Sequence, residues 1–182
     1  MNKMCTSILD SIDLEQGKHK VAIMIGKFAP FTLGHLNIEN NINLPLVICV
    51  TDSCKKGGER EFLSQSERIK LISKVSNAFI IPVKDANILT IIDSLRNIDM
   101  EPIELHIGSD RIKDYQSQLD KYKDKINSEL KIVEIIRGNE DISATKVREA
   151  LKNDDYKTYK QLMPHGLWVY FNHLKDKIGE IK

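Results

Sequence analysis

Residues 21–35 read VAIMIGKFAPFTLGH. Five apolar residues run without a polar break and stop at Gly26. A strand wetted on one face alternates apolar with polar residues, so this run predicts a strand buried on both faces. A loop containing glycine, lysine and proline follows, with Thr32 and His35 on either side of Leu33 and Gly34. A short helix is predicted from about His35 to Asn41. Strand, loop and helix in that order open a crossover unit, and crossover units build parallel sheets.

The same alternation continues outward. Residues 46–51 (LVICVT) form a second apolar run, rich in β-branched side chains. Ser64 and Glu67 stand at capping-box spacing ahead of Ile69, Leu71, Ile72 and Val75, which marks a helix start. Residues 78–83 (AFIIPV) are a third strand. Ile88, Ile91, Ile92 and Leu95 then recur at i, i+3, i+4 and i+7, a helical stripe. Residues 103–107 (IELHI) and 131–136 (KIVEII) complete five strands. Between them, residues 111–126 read as a solvated helix, with Lys121, Lys123 and Lys125 on its face. From Ala144 every segment reads as helix, over about 144–152, 155–162 and 165–178.

The predicted fold is therefore α/β, a doubly wound five-stranded parallel sheet with a C-terminal helical segment. Residues 1–20 read as an N-terminal extension. Residues 21–182 read as one domain that includes the C-terminal helices, with no repeat or low-complexity linker inside it.

Composition narrows the function classes. The chain has 182 residues, 41% of them apolar and 29% charged, as in ordinary globular proteins. Lysine and arginine number 27 against 26 acids, a net charge of +1. That argues against nucleic acid held by bulk charge and leaves room for a small phosphorylated ligand, which needs only a local patch. Cys5, Cys49 and Cys54 are odd in number and no metal set accompanies them, which reads as reduced thiols in a cytoplasmic protein. No apolar run approaches a membrane span, and the first twenty residues mix acids with apolar residues, unlike a signal peptide. No membrane partner is expected.

In an open parallel sheet, ligands bind beyond the carboxyl ends of the strands. The loop Gly26–His35 leaves the first strand there and supplies a cation beside a helix start, the makings of an anion site. It fits neither the Walker A spacing nor the G-x-G-x-x-G fingerprint. A second candidate is Ile142-Ser143-Ala144-Thr145-Lys146-Val147-Arg148, after the last strand. Ser143 reads as an N-cap, and Thr145, Lys146 and Arg148 occupy the first helical turns, an arrangement suited to a polyphosphate.

Together these stretches resemble a known family. GKFAPFTLGH resembles the first motif of the HxGH/TxGH nucleotidyltransferase superfamily, and ISATKVREAL resembles its second, ISxTxxR. GEREFLSQSERIKLI, IIPVKD and LMPHGLWVYFNHL resemble segments of archaeal-type nicotinamide mononucleotide adenylyltransferases, so the likeness covers roughly residues 21 to 175. It implies attack by a substrate phosphate on the α-phosphate of a nucleoside triphosphate, with release of pyrophosphate. By the same resemblance Gly26, Lys27, Phe28, Thr32, Gly34, His35, Ser143, Thr145 and Arg148 would bind the nucleotide, with His35, Lys27 and Arg148 acting in catalysis. Gly34 would let the nucleotide approach the backbone. Asp110 and Arg111, after the fourth strand, would contact the acceptor.

Magnesium would arrive with the triphosphate, since no carboxylate cluster offers an all-protein site. The implied partners are ATP and a phosphorylated small-molecule acceptor; a homo-oligomer is compatible with the sequence. Thr32 stands where the commoner motif has histidine. Residues 85–91 hold no aromatic where the archaeal-type enzymes carry a tryptophan, which leaves the acceptor open. Cytidylyl transfer, a phosphopantetheine-type acceptor and nucleotide sensing without turnover are the alternatives. The approach to Ser143, residues 137–142, lacks the pattern frequent in cytidylyltransferases and favours ATP. Elsewhere, His106 reads as a core histidine, Trp168, Tyr170 and Phe171 as packing residues, and His165 and His173 as surface. Lys55 and Lys56 stand in a loop able to close over phosphates.

Overall fold

The computed structural model describes residues 18–52, 58–126, 129–135 and 142–181. Among the described residues five strands form one parallel sheet: β1 (His19–Gly26), β2 (Leu46–Thr51), β3 (Phe79–Val83), β4 (Met100–Gly108) and β5 (Lys131–Ile135). Their order is β3-β2-β1-β4-β5. The chain works outward from β1 to one edge and then crosses to β4, so the switch point lies between β1 and β4, where such sheets open a crevice.

Among the described residues seven α-helices connect and cover the strands: α1 (Leu33–Glu39), α2 (Gln65–Ile72), α3 (Ile88–Arg96), α4 (Ile112–Lys121), α5 (Ala144–Lys152), α6 (Tyr156–Leu162) and α7 (Phe171–Gly179). Strand residues alternate between two cores. Val21, Ile23, Val47, Cys49, Leu105 and Ile107 pack with the apolar stripe of α3 and with Tyr115 of α4. Ala22, Met24, Ile48 and Val50 pack on the opposite face with Ile72 of α2 and with Leu36 and Ile38 of α1. This is the two-sided burial that the unbroken apolar runs predict. A third cluster joins α5, α6 and α7 to Phe62, Leu63 and Leu71.

The helix starts follow local chemistry. The Ser64 backbone N–H donates to Glu67 Oε2 at 2.8 Å and the Glu67 N–H donates to Ser64 Oγ at 3.3 Å, the reciprocal box expected from the spacing. The Ser64 hydroxyl holds the Glu67 carboxyl down at about 2. Asn87 caps α3 by accepting from Leu89 and Thr90.

Several boundaries differ from expectation, each for a physical reason. β1 begins at His19, inside the predicted extension, because ladder pairing uses backbone groups whatever the side chain: His19 pairs with Met100 and Lys20 with Glu101. β4 begins at Met100, ahead of the predicted Ile103. There Pro102 has no N–H to give, and the β1–β4 register shifts between Val21 and Ala22. Glu101 is 9% exposed and is held by a two-pronged pair with Arg96 at 2.9 and 2.7 Å. α4 is not solvated throughout, since Tyr115 is buried and Ile112 and Leu119 pack on the core. The last predicted helix divides into a 3-10 segment (His165–Tyr170) and α7. Tyr159 donates its hydroxyl to the Leu167 carbonyl at 2.8 Å and Trp168 donates to the Met163 carbonyl at 2.9 Å, which anchors the tighter turn.

Tyr170 and Trp168 pack against the C-terminal cluster and Phe171 is buried in it, while His165 and His173 are exposed. His106 is half-buried in β4 and bonded to Glu104 at 2.9 Å. Cys49 is fully buried, and burial pushes its thiol up to about 12, so it is an inert core residue. Cys5, Cys54, Lys55, Lys56 and residues 137–141 lie outside the described residues. Among the described residues no helix is long and apolar enough to cross a membrane.

Candidate active site

A cleft of about 680 Å³ opens beyond the carboxyl ends of the strands. Ile25, Gly26 and Lys27 line it from the end of β1, and Thr51 and Asp52 from the end of β2. Gly58, Glu59 and Glu61 come from the turn before α2, Ala86 from the segment after β3, and Arg111 and Tyr115 from the start of α4. Thr145 and Arg148 of α5 complete the wall. The cleft occupies the switch-point crevice that the topology specifies.

Gly26 and Phe28 shape the loop that leaves β1. A Cβ on Gly26 would stand 3.0 Å from the Phe28 ring, so a side chain there would displace the ring. Phe28 itself adopts φ 51°, a left-handed conformation that costs a non-glycine residue energy and is found where tertiary contacts enforce it. Its ring meets His35 edge-on at 5.1 Å, and Phe31 stacks on His35 at 5.2 Å. The imidazole is clamped between two aromatic rings.

The start of α1 fixes which nitrogen of His35 does what. Thr32 is the N-cap and His35 is N3. The Thr32 backbone N–H donates to His35 Nδ1 at 3.0 Å, and Thr32 Oγ1 lies 2.9 Å from the same nitrogen. The imidazole thus takes the place of the Glu or Gln of a capping box. With Nδ1 accepting, the ring proton is on Nε2. The helix begins at Leu33, two residues before the expected start, because Thr32 caps it.

The two motif loops meet. The space a Cβ would take on Gly34 is bounded by the Ile142 carbonyl oxygen at 3.3 Å, so this glycine lets α1 lie against the lead-in to α5. Arg148 ties the loops directly. It is 6% exposed, donates from Nη1 to the Ala29 carbonyl at 2.9 Å, and donates from Nη2 to Thr145 Oγ1 at 3.0 Å. A solvated basic face is therefore ruled out for this residue. Ser143 caps α5 as expected, accepting from the Lys146 N–H at 3.3 Å.

Charges of both signs line the cleft. Lys27 Nζ stands 3.3 Å from Glu61 Oε1, with both side chains half-buried. Glu59 is bonded to Lys152, and that contact, with a smaller contribution from Arg148, holds its carboxyl below the usual range. Arg111 is exposed and faces Asp114 at 3.7 Å. Tyr115 is buried, and burial pushes its phenol up to about 12, so it stays a protonated donor at neutral pH.

Of the predicted residues, Gly26, Lys27, Thr145, Arg148 and Arg111 line the cleft. Phe28, Thr32, Gly34, His35 and Ser143 build the loop junction beside it, and exposed Asp110 stands in the turn before α4 without lining it. Sequence reasoning missed Tyr115, Asp52, Glu61 and the buried Arg68 of α2. The signal for Arg68 was its spacing: it stands three and four residues before Leu71 and Ile72, on the inward stripe of the helix.

A family model described as cytidylyltransferase-like matches residues 23–150, more than half of the chain and both motif loops. The chain belongs to the cytidylyltransferase-like family of nucleotidyltransferases. A search of curated proteins finds no match. Solved structures share the fold at low identity. A putative nicotinate-nucleotide adenylyltransferase from Vibrio parahaemolyticus superposes with TM-score 0.61 at 15% identity, covering 85% of this chain and 99% of its own. The nicotinic acid mononucleotide adenylyltransferase of Plasmodium falciparum, complexed with APC, gives 0.56 at 16%, covering 87% and 98%. TmcAL of Thermotoga maritima, bound with alpha-thio ATP, gives 0.56 at 12%, covering 89% of this chain and 56% of its own.

Proposed function

We propose that the protein transfers an adenylyl group from ATP to a phosphorylated small molecule, with a pyridine mononucleotide, nicotinamide mononucleotide first, as the favoured acceptor. The observation that carries this reading is the junction of the two motif loops, with Arg148 bonded to the Ala29 carbonyl at the wall of the cleft. Lys27, Arg148 and Thr145 face one cavity large enough for a nucleotide. The P. falciparum structure named above and the archaeal-type sequence resemblance both favour the pyridine mononucleotide class. Tyr115 supplies an aromatic side chain in the cleft wall that no residue of 85–91 provides.

In this mechanism an oxygen of the acceptor phosphate attacks the α-phosphorus in line, and pyrophosphate leaves carrying the bond electrons. No covalent enzyme intermediate is formed. Positioning and charge stabilisation are then the protein's whole task. Lys27, on the cleft wall, and the Nε2–H of His35, in the loop junction beside it, stabilise the charge that develops around the α-phosphate. Arg148, Thr145 and the N–H groups at the start of α5 hold the β- and γ-phosphates. Arg111 binds the acceptor, with Asp110 beside it. Magnesium enters as part of the triphosphate substrate. The donor set fits this: Glu59 and Glu61 are engaged by Lys152 and Lys27.

The family description favours a second reading, cytidylyl transfer. Thermal shift separates the two. Stabilisation by a ligand follows RT ln(1 + [L]/Kd), and a tenfold tighter ligand in excess adds about 1.4 kcal/mol. ATP with magnesium should raise Tm more than equimolar CTP. An equal or larger shift with CTP defeats the adenylyl assignment.

A further inference from the structure

Arg68 lies on the inward side of α2 and is 1% exposed, among the most buried side chains of the protein. Its guanidinium is spent on backbone carbonyls. Nε donates to Leu63 at 3.3 Å, and Nη1 donates to both Thr51, at 2.9 Å, and Lys27. Gly26 of β1 pairs with Val50 of β2, so Lys27 and Thr51 are the next residues along the two strands, and both line the cleft. Nη1 therefore spans the mouths of β1 and β2 at the point where the sheet ladder ends. A neighbour on the same helix acts alike one strand further out: Gln65 Nε2 donates to the carbonyls of Val50 and Val83 at 2.8 and 2.9 Å.

Stability does not account for an arginine here. Burying a guanidinium carries a desolvation penalty that apolar residues of similar volume avoid, and such replacements are often neutral or stabilising. Nη2 is buried with no hydrogen-bond partner, and the charge of Asp52 on the cleft wall offsets only part of the cost of burial. What arginine supplies and leucine or methionine cannot is one donor shared by two carbonyls on neighbouring strands.

We propose that Arg68 is a positioning residue for the triphosphate: by holding the Lys27 carbonyl against that of Thr51, it directs the Lys27 side chain into the cleft. It touches no substrate and acts through Lys27. The proposal rests on the nucleotidyl-transfer reading for its purpose, but its geometry is testable by binding alone.

The test is a double-mutant cycle on the full chain, with Lys27→Ala, Arg68→Met and the double variant. Affinity for inorganic tripolyphosphate with magnesium is measured by calorimetry, and kcat and KM for ATP are measured in parallel. Arg68→Met should weaken tripolyphosphate about tenfold in the wild-type background and less than about twofold in the Lys27→Ala background, the coupling expected of residues acting as one unit. Arg68→Gln keeps an amide donor and should recover part of the affinity; Arg68→Leu takes the place of Arg68→Met in the cycle if that variant does not fold. Equal losses in both backgrounds overturn the proposal, because a residue that only holds the fold weakens binding whether or not Lys27 is present. Unchanged affinity in Arg68→Met overturns it as well. Wild-type protein that binds tripolyphosphate but transfers no nucleotide overturns the functional reading and leaves the cycle decisive for Arg68. No binding by the wild type overturns both.

Discussion

His35→Ala is expected to lower kcat by ~10²–10³, about 2.7–4 kcal/mol of transition-state stabilisation, with a much smaller change in triphosphate affinity. The charge that develops during transfer lies on the phosphate oxygens, so a fixed donor stabilises the transition state more than the bound substrates. Here the donor is fixed twice. The Thr32 backbone N–H binds Nδ1 and so puts the proton on Nε2, and Phe28 and Phe31 hold the ring plane. The same geometry adds a structural cost, because His35 closes the cap of α1, and loss of a cap costs roughly 0.5–2 kcal/mol. His35→Gln separates the two roles. Glutamine at N3 reaches back to the N-cap N–H, so Tm should recover while kcat stays low. If His35→Ala lowers Tm and leaves kcat unchanged, the imidazole is only a cap.

The second large effect belongs to Arg148. Truncating a buried, hydrogen-bonded charge at a binding surface costs roughly 2–5 kcal/mol, so Arg148→Ala should reduce kcat/KM for ATP by on the order of 10²–10³. Tm should fall too, since the Ala29 carbonyl and Thr145 hydroxyl each lose a donor. Arg148→Lys keeps the charge but not the planar fork, and one ammonium cannot reproduce both bonds while facing the cleft. It should remain well below wild type in kcat/KM. Normal turnover by Arg148→Ala would leave the residue as a tie between loops with no part in binding.

β1 and β2 were legible in the sequence because burial on both faces writes itself as an unbroken apolar run, while the half-buried edge strands β3 and β5 were marked by their β-branched residues; all four fall within about two residues of expectation. β4 was legible only in its second half. Its first three residues, Met100-Glu101-Pro102, look unlike a strand, and the Arg96–Glu101 pair that makes Glu101 tolerable there is a tertiary contact. The switch-point cleft followed from topology, and the cleft-lining residues Lys27, Thr145 and Arg148 from two contiguous motifs. What those residues bond to did not follow. One partner of Arg148, the carbonyl of Ala29, is 119 positions away in the chain. Tyr115 was obscured for a related reason: it stands in a helix whose lysines and acids suggest solvent, and packing shows which side faces the sheet; Arg68 has inward spacing, but its charge argues for the solvent face.

If the cleft directs attack at the α-phosphorus of a nucleoside triphosphate, the phosphorus products identify it. Wild-type protein is incubated with magnesium and ATP or CTP against a panel of phosphorylated acceptors that includes nicotinamide and nicotinic acid mononucleotides, and the phosphorus products are resolved. Pyrophosphate should appear in one-to-one proportion with an adenylylated acceptor, and neither should form without acceptor. Orthophosphate with ADP would place the attack on the γ-phosphorus and contradict the account, and binding of ATP with no product from any acceptor would leave a nucleotide sensor in place of an enzyme.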